Sequence, residues 1–71
     1  MIYEGWQISN TVSLDENIRQ AIAVYIKKHG IPPNILEYSV DLKEVKLPEG
    51  LNMVVDIIKI PRNILLVGKS E

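Results

Sequence analysis

The chain has 71 residues, 46% hydrophobic and 24% charged, with eight Lys plus Arg against nine Asp plus Glu and no cysteine. That balance describes one globular domain, residues 1–71, and excludes a disordered chain, a disulfide framework and every cysteine-ligated metal site. A single histidine, His29, excludes an imidazole cluster, and a net charge of −1 supplies no overall field toward nucleic acid or an anionic membrane.

Residues 2–8, IYEGWQI, are rich in aromatic and β-branched types, with Ile2, Trp6 and Ile8 in phase at period two, and predict a first strand. The opening MIYEGWQISN has no basic segment followed by an apolar run, and no stretch reaches membrane-spanning length. Cytoplasmic residence is therefore expected, with no membrane partner. SNTVS breaks the strand. Ser13 with Glu16 then forms the S-x-x-E box that opens a helix, and Val12 is placed to staple it.

From there Leu14, Ile18, Ala21, Ile22, Tyr25 and Ile26 fall on one helical stripe, with Glu16, Arg19, Gln20, Ala23 and Lys27 opposite. Asp15 and Glu16 at the start, and Lys27, Lys28 and His29 at the end, complement the helix dipole. Gly30 is the natural C-terminal cap, and Pro32 and Pro33 forbid continuation.

NILEYSV at 34–40 sets Leu36, Tyr38 and Val40 against Ile35, Glu37 and Ser39 and predicts a second strand. A strand, a helix and a strand in this order predict a right-handed crossover between parallel strands, neighbouring or with a third strand between them. DLKEVK offers one helical turn, and LPEG at 47–50 a tight turn with Pro48 second. LNMVVDIIKI at 51–60 fits either periodicity. Its Val and Ile content and its bounds at Gly50 and Pro61 favour a strand. IPRN at 60–63 reads as a second turn with Pro61 second, so that ILLVG returns as the last strand of a hairpin. The sum is an α+β two-layer sandwich, β-α-β-β-β, with one amphipathic helix packed on a four-stranded mixed sheet.

At this size folding removes only about 60% of the surface that an unfolded chain exposes, so the core is thin. One helix covers one face of about three strands. A hairpin would collect Val54, Ile58, Leu65 and Val67 on one face and Met53, Val55, Ile57, Ile64 and Leu66 on the other. Both faces are apolar. The uncovered one would expose on the order of several hundred Å², more than soluble monomers usually carry. A second copy, another protein, or the chain's own DLKEVK and IPP segments would have to cover it.

The expected function is a small non-catalytic interaction or assembly module, a homodimer or an accessory subunit, with Val54, Val55, Ile57, Ile64 and Leu66 in the contact. The alternative is a nucleic-acid-binding module that stacks bases on Tyr3 and Trp6 and meets phosphates with Lys59 and Arg62. Other motifs carry less. GKS at 68–70 lacks the first glycine of a phosphate loop, since position 63 is asparagine. His29 sits where a cation favours a helix end. Asp56 interrupts MVVDIIKI on the face of Val54 and Ile58, where a carboxylate asks for a partner or an exposed edge. No catalysis, cofactor or metal is expected.

Overall fold

A computed structural model describes residues 2–42 and 53–69. The elements are β1 (Ile2–Gln7), α1 (Leu14–His29), β2 (Ile35–Ser39), β3 (Val54–Ile58) and β4 (Ile64–Lys69). They form the α+β arrangement expected, one helix packed on a four-stranded mixed sheet. The strand reading of 51–60 holds over Val54–Ile58. LPEG, and all of DLKEVK beyond Leu42, lie outside the described residues.

Local chemistry explains the helix. The Ser13 hydroxyl accepts the Glu16 backbone N–H at 3.1 Å, satisfying one of the free donors of the first turn. The Glu16 carboxylate does not return to the cap but accepts Gln20 Nε2 at 3.3 Å. Gly30 ends the helix at φ 75°, the left-handed region that favours glycine, and its N–H donates to the Ile26 carbonyl at 2.7 Å.

The strand order is β1-β4-β2-β3, with β4 antiparallel to both neighbours and β2 parallel to β3. The crossover from β1 through α1 to β2 therefore spans one intervening strand. The expected hairpin does not form, because β2 lies between β3 and β4. Residues 59–63 step past the end of β2, where the Val40 N–H donates to the Ile58 carbonyl at 3.0 Å. Two strand spacings are only about 10 Å, well within the reach of five residues. The reverse turn also falls one residue later than IPRN suggests, with the Ile64 N–H donating to the Pro61 carbonyl at 3.1 Å. ILLVGK, whose first five residues carry no charge, takes a central place, whereas β1 with Glu4 and β3 with Asp56 take the edges, where water reaches their charges.

Register assigns the faces. Trp6, Leu65 and Tyr38 are neighbours across β1, β4 and β2, as are Glu4, Val67 and Leu36. Val55 and Ile57 continue those rows onto β3. This is the helix side, where Ile18, Ala21 and Tyr25 meet Leu36, Tyr38, Leu65 and Val67 in the core. Tyr3, Gly5 and Gln7, then Ile64, Leu66 and Gly68, then Ile35, Glu37 and Ser39, then Val54, Asp56 and Ile58 form the other side. The grouping expected of a hairpin is thus reversed: Val54 and Ile58 share a face with Ile64 and Leu66, not with Leu65 and Val67. A one-residue change of phase moves every side chain to the opposite face, and here β2 sets the phase instead of a turn.

One buried residue was absent from the predicted stripe. Asn17 is fully buried, whereas Ile26, which was on it, is 42% exposed. The Asn17 Oδ1 accepts Trp6 Nε1 at 3.1 Å and the Ser9 N–H at 2.8 Å. Its Nδ2 donates to the Ser9 and Ser13 carbonyls, each at 2.9 Å. One amide side chain fastens the β1–α1 loop to the helix, pairing the N–H and the carbonyl of Ser9, while the Ser13 carbonyl also accepts the Asn17 backbone N–H at 3.0 Å.

Candidate interaction face

The side of the sheet away from α1 carries Ile35, Val54, Ile58, Ile64 and Leu66 around the acidic residues Glu37 and Asp56. Val54 is 62% exposed and Ile58, Ile64 and Leu66 are half-buried, whereas Ile35 and Ser39 are buried; no described helix or strand packs over this side. Leu42 and Met53, which flank the connection from β2 to β3, pack against the helix-side core. Ile31 of the IPP segment remains 45% exposed.

At the centre of this face a polar group is assembled from three strands. Tyr3 stands beside Gly68 in register, and Gly68 beside Ile35. The Tyr3 phenol lies within the electrostatic influence of Glu37, two strands away. Desolvation, interaction with the Glu37 carboxylate, and the negative charges of Glu37 and Asp56 together hold the phenol above its ordinary pKa of 10.0. Glu37 is the register neighbour of Asp56 on parallel strands, which brings two carboxylates to backbones about 5 Å apart. Among the described residues neither forms an ion pair.

The five residues expected in the contact do not form one patch. Val54, Ile64 and Leu66 lie on the open face. Val55 and Ile57 point to the helix side, where Val55 packs against the core. Ile57 is 59% exposed on its edge strand. Asp56 shares a face with Val54 and Ile58 as expected, in an exposed edge position, and among the described residues it forms no ion pair with Lys59 or Arg62.

Nor do the residues of the nucleic-acid alternative assemble. Tyr3 and Trp6 alternate to opposite faces of β1, and Trp6 packs against the core with its Nε1–H committed to Asn17. Lys59 and Arg62 are exposed on the β3–β4 connection, at the end of the sheet where Gln7 pairs with Ile64. Tyr3 pairs with Gly68, about 13 Å further along β4. Arg62 instead lines a cleft of about 350 Å³ with Ile8, Asn10, Leu42 and Asn63. Among the described residues the charged side chains on the open face are carboxylates, which repel phosphate.

His29 has a structural setting. Its ring packs on Tyr25 at a centroid distance of 4.4 Å, and Nε2 lies 2.9 Å from Glu4 Oε1. Lys28 Nζ lies 3.0 Å from the same oxygen. These bonds tie the end of α1 to β1. Lys28 first and His29 second hold the Glu4 carboxyl below its ordinary value of 4.5, against an opposing effect of burial. A depressed carboxyl contributes stability that is present above its unfolded value and lost as pH falls through its folded one. The melting temperature of Glu4→Gln is therefore expected to lie slightly below wild type at neutral pH. The gap should close as pH falls below 4.5. A gap that widens in acid would contradict the assignment, and circular dichroism melts at several pH values measure it.

The chain matches no family model, no curated protein and no solved structure. Among the described residues no helix is long and apolar enough to cross a membrane, and no three His, Asp or Glu gather where they would hold a metal ion.

Proposed function

We propose that this chain is a small non-catalytic interaction module whose contact surface is the open face of its sheet, used in self-association or as an accessory subunit. The observation that carries this reading is the cluster of Val54, Ile58, Ile64 and Leu66 around a buried Ile35, on a face over which no described helix or strand packs and from which Val54 stands 62% exposed. Aliphatic surface left in water costs about 25 cal/mol per Å², and a docked partner recovers that free energy.

The test joins solution mass, by light scattering over a range of concentrations, with binding of the apolar dye ANS. In Leu66→Asp a charge replaces the side chain beside Glu37 while the helix-side core is untouched. A dimer that this variant splits makes the chain a self-assembling module. A monomer whose dye binding the variant abolishes makes it an accessory subunit with a vacant face. A monomer that binds no dye has a closed face, and the reading fails.

A further inference from the structure

The open face ends at a free edge. The Val54 N–H donates to the Asn34 carbonyl at 2.9 Å, and the Ile58 carbonyl accepts the Val40 N–H at 3.0 Å. In a parallel ladder alternate residues bond to the same neighbour, so Val54, Asp56 and Ile58 face β2 and the backbone groups of Val55 and Ile57 face outward. No described strand pairs with that side. Such a row of unpaired N–H and C=O groups is a template for an added strand. Val54 and Ile57, on opposite faces of this strand, are the most exposed of the large hydrophobic residues described, at 62% and 59%. Between them stands Asp56, with Glu37 behind it and no described cation paired to either.

We propose, resting on the interaction-module reading, that β3 accepts an added strand from a different polypeptide. That strand sets a lysine or arginine beside Asp56, flanked by aliphatic residues that meet Val54 and Ile58. Cross-strand neighbours of opposite charge stabilise a sheet and like charges destabilise it, so Asp56 and Glu37 select a cation at this position. The same chemistry disfavours a second copy of the chain. Antiparallel pairing that joins Val55 of one copy to Ile57 of the other places two Asp56 side chains opposite each other on the twofold axis.

The probe is a capped nonapeptide of threonine with valine at its third and seventh positions and lysine at its centre, compared with a twin that has glutamate at the centre. Each is titrated into the ¹⁵N-labelled full chain. The lysine peptide is expected to shift the Val55 and Ile57 amides and to bind about five- to tenfold more tightly than its twin. Asp56→Asn should reduce the preference to the share that Glu37 supplies, and Asp56→Lys should reverse it. Reversal cannot arise from unfolding, and the exposed edge position leaves the core intact. Absence of shifts with either peptide, equal affinity for both, or shifts confined to β1 would overturn the proposal. A dimer of the free chain with the Val55 and Ile57 amides protected from exchange would also overturn it, by giving the edge to a second copy. Dye binding that Leu66→Asp abolishes would then still support the module reading, so the two failures are separable.

Discussion

Asn17→Ala is expected to cost about 3 kcal/mol of stability, because one truncation removes a fully buried amide on which the Trp6 Nε1–H and both backbone groups of Ser9 depend. The lost amide accepts from Trp6 Nε1 and the Ser9 N–H and donates to the Ser9 and Ser13 carbonyls. Each buried group left without a partner costs about 1 to 3 kcal/mol, reduced wherever water enters the vacated space. Asn17→Asp is the sharper variant. It keeps an acceptor for Trp6 and Ser9 but turns a carboxylate oxygen toward the Ser9 and Ser13 carbonyls, adding repulsion to desolvation. Urea unfolding, followed by the fluorescence of the single tryptophan, measures both. A loss within error for Asn17→Ala would mean that the amide does not hold the loop.

Leu65→Ala should cost about 3 kcal/mol, within the range of about 2 to 5 kcal/mol for buried leucines. Leu65 is fully buried on central strand β4, with Trp6 and Tyr38 as its register neighbours. Those neighbours are held by the sheet on either side, so the site collapses poorly around a cavity. A domain of this length has a total stability of about 4 to 10 kcal/mol, so a large share is at risk. Ile57→Ala, on an exposed edge, is the control and should cost about 0.5 kcal/mol or less. Comparable losses at the two positions would contradict the strand order. Chemical denaturation with a common slope decides between them.

The strand order, more than any one element, separates what was legible from what was not. The limits of α1 were legible because its signals are local: Ser13 and Glu16 within one turn, and Gly30 ahead of two prolines. Each strand segment was visible in its own alternation or β-branched content. The burial of Asn17 was open to geometry, since it lies three residues after Leu14 and four before Ala21 on the core-facing stripe. Its polarity concealed it, because a periodicity of apolar residues passes over an amide whose bonds are made by the fold.

By itself, then, the amino-acid sequence determined the class of fold, the helix with its caps, the strand segments and the presence of more aliphatic surface than one helix covers. Tertiary structure alone decided that β4 enters between β1 and β2 and that β3 becomes an edge. It therefore also decided that Val54, Ile64 and Leu66 share a face from which Val55 and Ile57 are turned away. The adjacency of Glu37 and Asp56 arises in the same step. The physical reason is that alternation fixes the two sides of a strand relative to each other, while pairing between distant segments chooses which side meets the helix. That choice depends on burial summed over the whole sheet.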